Sequence, residues 1–490
     1  MKSILKFGLF SKIVDFFKRL GKSVRMTTFN ERILLVSLAI ILVFLVYYVF
    51  QNRFVSQTVL APDTGGEYKE ALVGDIKYLT PYAVKTDAEK SVSRLVYSGL
   101  IKLNEKGEIV GDLAKEWSIS ESGLEYRFEL RDNIVFQDGA TFEANDVVET
   151  INYIKNPENK SSLYSNWNGI EVASEGDYSV IFSLPHSYGP FIFYCTLGIV
   201  NSDDLYGRAT ETVNGTGPYK YIDMINNVET GIKTVNLENN EAYYGALPYI
   251  PKVSFDLYES DNIASIDQSL YNAYAGFDFD GKEYLDLDFE LGRNIVMFPN
   301  LRREFIASDD NRSKIFSYQP FEEEVDINIV ALDNDSHRNA VGEFVLNHQN
   351  SNINFKVDYL SSVDYADRIT DRDYDLLFYG CNFGYDRDLY VFWHSSQQDY
   401  NNFSGYSDKE SDIFLEDTRF TSDSLERNSR YNQFCEKLKE KNLAIIYPAI
   451  NFNYKVKFEL QGIKSIWGKK PEDRFNTISD WYLVEKRVRK

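Results

Sequence analysis

The strongest pattern along the chain is an apolar run at 33–50, ILLVSLAIILVFLVYYVF, interrupted only by Ser37. At about 1.5 Å per residue such a run makes a helix of roughly 27 Å, close to the thickness of a bilayer's hydrocarbon core. Tyr47 and Tyr48 stand near one end, where amphipathic rings favour the interface, and Arg32 and Arg53 bracket the run. Upstream, Leu5, Leu9, Ile13, Phe16, Phe17 and Leu20 recur at helical spacing among Lys2, Lys6, Lys12, Lys18 and Arg19. That stretch reads either as a membrane-surface helix or as a basic, partly ordered tail.

Beyond the run the periodicity becomes mixed. Residues 51–69, containing APDTGGEYK, read as a linker. An apolar strand near 71–73 leads into YLTPY. Thr86 and Glu89 then have capping-box spacing before a helix with Val92, Leu95 and Val96 on one face, ending near Gly99. Leu124, Tyr126, Phe128 and Leu130 alternate with polar residues after the turn residues Ser122 and Gly123, which predicts a hairpin with these side chains inside. Val147, Val148, Ile151 and Ile154 mark a helix, and Val180, Phe182 and Leu184 a further strand. In the second half, 325–331, 353–359, 374–379 and 444–447 read as strands, and Tyr431, Phe434, Cys435 and Leu438 as one face of a helix. No internal repeat interrupts this, and the fold class is α/β with mixed sheets.

Charge sharpens the reading of the N-terminus. Residues 1–32 hold eight Lys or Arg against two Asp or Glu, whereas the whole chain is −21. A basic flank on one side predicts that 1–32 stays cytoplasmic, that 33–50 is an anchor and that the acidic body lies outside. The rival, a cleaved signal peptide, would need a 32-residue basic region, and no A-x-A-like site follows Phe50. The acidic body argues against nucleic acid as a partner. The three widely spaced cysteines form no CxxC, and no HExxH, GxSxG, GxxxxGK or GxGxxG occurs. No metal site, cofactor or catalytic residue is expected on those grounds.

More specific are LTPY (79–82), RLVYSGLIKLNEKGEIVGDLAKEWSISESGLEYRFELRDNIVFQDGATFEANDVVETINYI (94–154) and NGTGPYKY (214–221). They are followed by LENNEAYYGALPYIPKVSFDLY, YDLLFYGCNFGYDRDLYVFWHS, NNFSGYSDKESDIFLEDTR and ERNSRYNQFCEKLKEKNLAIIYP. In this order they resemble the bacterial extracellular solute-binding proteins, family 5, the oligopeptide-, dipeptide- and nickel-binding components of ABC importers. The resemblance covers nearly all of 71–484.

It implies a two-lobed clamp of the type II periplasmic-binding-protein kind. The first lobe would take 70–297, with an inserted subdomain at about 95–200. The second would take 298–455, and 456–490 would return to the first. A monomer would hold a small peptide or similar solute in the cleft and pass it to ABC permease subunits. The second lobe departs from the family pattern. FPNLRREFIASDDNRSKIF is soon followed by the strand at 325–331, so several tens of residues of the family's long helix and loop are missing.

The segment implied to face the cleft is Cys381, Asn382, Phe383, Gly384, Tyr385 and Asp386, after the strand at 374–379. Oligopeptide binders carry an Asp just before this Tyr to pair with the peptide's amine. Gly384 stands there instead, with Asp386 and Asp388 following. Asp386 reads either as the displaced amine partner or as a solvated loop carboxylate that contributes little to stability. Asn402, Ser404 and Tyr406, in NNFSGYSD, read either as cleft contacts or as turn formers, and so does Tyr82 after Pro81. Two other functions compete with delivery to an importer: a ligand-sensing receptor without a permease, and a membrane-anchored hydrolase using clustered carboxylates.

Overall fold

The computed structural model describes residues 28–205, 213–259, 266–421, 423–464 and 466–489. The basic segment up to residue 27, with its surface-helix reading, lies outside the described residues. The chain divides into two compact units, 1–63 with 484–490, and 64–483.

In the first unit the apolar run forms the helix Phe29–Gln57, and Phe29–Arg53 is long and apolar enough to cross a membrane. Thr28 and Glu31 close its N-terminus as a capping box, the Thr28 amide donating to Glu31 Oε2 at 2.7 Å. Large apolar side chains such as Ile41, Phe44 and Tyr48 are exposed, a surface suited to lipid. The linker expected at 51–69 is not irregular. The helix continues through Gln57, and Thr58–Asp63 pairs antiparallel with Val484–Arg489, Lys486 Nζ meeting Asp63 at 2.7 Å. A strand from the far end of the chain supplies the main-chain hydrogen bonds that a linker would take from water.

The second unit is built on two mixed sheets. The first runs, edge to edge, Tyr284–Asp286, Tyr454–Lys457, Ala273–Ala275, Glu67–Val73, Lys252–Tyr258, Lys233–Asn239 and Tyr219–Asn226. A four-stranded antiparallel sheet, with the hairpin Ala114–Ile119 and Glu125–Leu130 on one side, packs into the same core through Phe128, Phe182, Phe191 and Trp167. Gly123, at φ +66°, makes the hairpin turn that only a residue without Cβ enters readily. Leu124, expected inside, is instead 39% exposed, because it belongs to this turn rather than to the strand.

The second sheet runs Ile353–Leu360, Val325–Leu332, Leu376–Asn382, Phe289–Pro299 and Ile445–Phe452. Its central strands bury apolar side chains on both faces, because helices cover both. Val296, Phe298, Val330 and Leu377 face the helices Lys409–Phe420 and Ser424–Glu440. Ile295, Met297, Ile329 and Phe378 face Asp309–Phe316 and Asp335–Asn347. The strand expected at 374–379 begins two residues later. The Asp375 amide and carbonyl already bond to Asn328 and Asn300, and Arg303 pairs with Asp373.

Two neighbouring segments join the sheets. The strand Phe289–Pro299 starts in the first core at Phe289 and Leu291 and ends in the second. Ile445–Phe452 returns beside it, and Tyr454–Lys457 re-enters the first sheet. Register shifts interrupt their pairing between Glu290 and Asn294 and again before Val296, where bulges let the strands bend. The unit is therefore two lobes on a two-stranded waist.

Candidate functional site

A cavity of about 440 Å³ lies between the two lobes, within the range for small-molecule sites. Its second-lobe wall is the end of the central strand and the loop after it. Asn382, Phe383, Gly384, Tyr385, Asp386 and Asp388 all line it. Asn382 is the last residue of the strand, paired with Arg293, so the strand runs further than the sequence suggests and delivers the loop to the cleft. Gly384 adopts φ +58°. Its carbonyl lies so close to Gly292 that a Cβ on that waist residue would collide with it. The turn thus favours glycine where the family pattern has Asp, and the first carboxylate comes two residues later.

Asp386 is not a solvated loop carboxylate. Its side chain is 2% exposed and pairs with Arg427, which is 1% exposed, the Arg427 Nε donating to Oδ2 at 2.9 Å. Its Oδ1 is buried with no hydrogen-bond partner among the described residues. Arg427 also bonds to the Thr421 carbonyl and presses against Gly189. Asp388 pairs with Arg419 at 3.0 Å, and burial pushes its carboxyl up against the opposing pull of Arg419.

Opposite stand Lys90, Arg293, Lys470 and Glu472. Arg293 is held bidentately by Asp87, at 2.7 and 2.6 Å. Lys90 and Lys470 make no salt bridge among the described residues, and Lys470 Nζ lies 4.3 Å from the Tyr385 ring centre. Burial pushes the Glu472 carboxyl up, with Lys470 and Lys90 pulling the other way. Its Oε2 has no partner among the described residues. Glu472 rides on the single turn Pro471–Phe475, with Lys470 at its N-terminal end. That turn is fixed by a fully buried ion pair, Arg474 to Glu70 at 2.6 Å, with Arg474 Nη1 also donating to Ser91 Oγ at 2.9 Å. The paired and hydrogen-bonded guanidinium offsets the desolvation that an isolated buried charge would suffer.

Tyr385 links the walls. It leaves the second-lobe loop, donates to Asp473 Oδ1 at 2.5 Å and stacks on Trp467 at 6.1 Å. The remaining expected site residues lie elsewhere. Cys381, the next-to-last residue of that strand, packs into the second-lobe core at 1% exposure, its thiol pushed up by burial. Tyr82 is buried with its ring 4.5 Å from that of Tyr153, its hydroxyl pushed up to about 12 by that burial. Asn402 donates to the His394 and Tyr406 carbonyls at 3.1 and 2.8 Å, Ser404 donates to Asn402 at 3.1 Å, and Tyr406 donates to Asp408 at 3.0 Å. These three build the turn, and none of the four nor Ser404 lines the cavity. The first-lobe wall at Lys90, Lys470 and Glu472, and the aromatics Tyr188, Phe193 and Tyr194, had no sequence signal of their own. Their meeting depends on segments far apart in the chain.

Residues 108–268 match the sequence model of the bacterial extracellular solute-binding proteins, family 5 (middle part). The oligopeptide-binding protein AppA of Bacillus subtilis is 26% identical over 216 residues, 41% of this chain and 39% of AppA. The glutathione-binding protein GsiB of Salmonella typhi is 30% identical over 112 residues, 22% of each chain. The match thus spans about two-fifths of the one relative and about a fifth of the other. The structure of the ABC transporter substrate binding protein CtaP of Listeria monocytogenes superposes with a TM-score of 0.71 at 18% identity, covering 86% of this chain and 100% of that one. The two lobes share its fold.

Proposed function

We propose, from a chain that belongs to the bacterial extracellular solute-binding proteins, family 5, on the match of residues 108–268, that it captures a short amine-bearing peptide for an ABC importer. It does so outside the membrane, tethered by Phe29–Arg53 with the basic N-terminus in the cytoplasm. The observation that carries this reading is the polarity of the cavity. One wall presents Asp386, whose Oδ1 has no partner among the described residues beside its pair with Arg427, and Asp388, paired with Arg419; the other presents Lys90 and Lys470 around Glu472. A zwitterion with separated ends matches that arrangement, its ammonium towards the carboxylates and its carboxylate towards the lysines. Two relatives lend support by name, one binding oligopeptides and the other glutathione, both of which carry a free amine.

Closure about the waist would bring the walls together, and Tyr385 already spans them at Asp473. Recognition needs no bond-breaking step, and release to a permease needs only reopening. Mass spectrometry of the small molecules released on denaturing the purified full chain tests the reading. Short peptides in near-stoichiometric amount are expected. A consistent non-peptide solute lacking an amine would overturn it.

A further inference from the structure

The long apolar helix does not end in a flexible stalk. The Thr58 amide closes on the Val55 carbonyl, and the strand Thr58–Asp63 starts at that cap. Its antiparallel partner Val484–Arg489 runs back towards the helix, so Arg489 stands opposite Thr58, Arg487 opposite Leu60 and Glu485 opposite Pro62. Residues directly opposite one another share a face of the ribbon. Arg487 and Arg489 therefore lie on one face, about 7 Å apart along their strand, with Leu60 between the helix and the far end.

Charge is sorted along this ribbon. Arg487 and Arg489 are exposed at the helix end, and Arg53 stands about one turn before the helix stops. The acidic residues Asp63 and Glu485 lie at the far end, where Lys486 pairs with Asp63 at 2.7 Å. No Asp or Glu occurs from residue 32 to residue 62. Arg487 donates to Thr58 Oγ1 at 3.3 Å and meets no carboxylate among the described residues. Arg489 makes no hydrogen bond or ion pair among them. Two neighbouring guanidiniums without a carboxylate repel, and an anion between them relieves the repulsion.

Position selects the anion. Gln51–Gln57 carry the helix about 10 Å past Phe50. With 33–50 in the hydrocarbon core, that length crosses a headgroup layer of about 5–8 Å, placing Arg53 within the layer and Arg489 at its outer edge. Val55, Val59 and Leu60, 42–54% exposed, add the apolar surface that interfacial segments carry beside their basic residues.

We infer that this end of the ribbon is a membrane foot, in which Arg487 and Arg489 bind the phosphate groups of anionic phospholipids in the leaflet from which the helix emerges. The inference rests on the reading of Phe29–Arg53 as a tether. Guanidinium–phosphate contacts are charge-assisted and bidentate, so they hold the ribbon at the surface instead of leaving it to swing about the helix end.

The test uses the full chain with Leu60→Cys as the site of a fluorophore, since Cys195, Cys381 and Cys435 are buried. The labelled chain is reconstituted into vesicles of phosphatidylcholine, or of phosphatidylcholine with one-third phosphatidylglycerol, both doped with a headgroup-nitroxide lipid that quenches on contact. Quenching is expected to be at least twofold stronger with phosphatidylglycerol, and to fall to the phosphatidylcholine level in high salt. Arg487→Gln with Arg489→Gln should abolish the difference. Arg489→Gln alone, which breaks no hydrogen bond among the described residues and so leaves the ribbon paired, should at least halve it. Equal quenching in the two vesicles, or a difference that survives both variants, overturns the foot alone when the chain resists alkaline extraction. A chain that alkali extracts from the vesicles overturns the foot together with the tether.

Discussion

Asp386 carries two demands at once. Its Oδ2 holds Arg427 in a pair with almost no solvent access, and its Oδ1 has no donor among the described residues. Removing one partner of such a pair strands the other charge, typically at about 3–5 kcal/mol. Asp386→Ala is therefore expected to lower the unfolding free energy by about that much in denaturant titration, and a loss below about 1 kcal/mol would contradict the pairing. From the sequence alone the same residue reads as a loop carboxylate with little effect on stability, because Arg427 is 41 residues away. Glu472 gives a pH dependence of definite sign. Burial raises its carboxyl above the ordinary value of 4.5, so in the window above 4.5 the folded state holds a proton that the unfolded chain has released. Stability attributable to this group is complete below 4.5 and is lost as pH rises through its raised value. A stability profile measured against pH is expected to fall more gently in Glu472→Gln than in the wild type over that window. Superimposable profiles would contradict the burial.

At the scale of elements, close approach decides more than propensity. A Cβ on Gly189 would collide with Arg427 Nη1 and the Thr421 carbonyl, so Gly189→Ala should destabilise by about 1–3 kcal/mol. Gly342, inside the helix Asp335–Asn347, has open space around it, and Gly342→Ala should stabilise by about 0.5–1 kcal/mol. Thermal melting of the two variants checks the contrast, and equal shifts would sink it. Elements with a local cause were legible in the sequence. Thr86 and Glu89 cap their helix as the spacing predicts, with the Glu89 amide donating to Thr86 Oγ1 at 3.1 Å. Ile353–Leu360 and the helix Ser424–Glu440 follow their periodicities. Elements with a distant cause were not. Thr58–Asp63 becomes a strand only because Val484–Arg489 meets it, and the central strand reaches Asn382 only because Arg293 and Asn294 pair with its end. The loop 382–386 was readable as a cleft segment through its motif and its place after a strand. Lys90, Lys470 and Glu472 were not, because no local pattern links the start of one helix to a single turn some 380 residues later.

For the whole molecule, the basic flank and the long apolar helix set the topology expected in the cell. Protease added to intact cells should remove the body beyond Arg53 and leave the N-terminal segment, and a protected body would contradict that orientation. On the proposed function the two-lobed unit works as a clamp, with the ion-paired carboxylates Asp386 and Asp388 on one wall and Lys90 and Lys470 on the other. That polarity is the core of the account, and blocking one end of the ligand probes it directly. Calorimetric titration of the solubilised full chain should compare the tightest-binding dipeptide with its N-acetylated form. Loss of a charge-assisted contact at a desolvated carboxylate typically costs about 2–5 kcal/mol, roughly 30-fold to several thousand-fold in affinity. The account predicts at least a tenfold weakening on acetylation in the wild type. Equal affinity for the free and the acetylated peptide would contradict it.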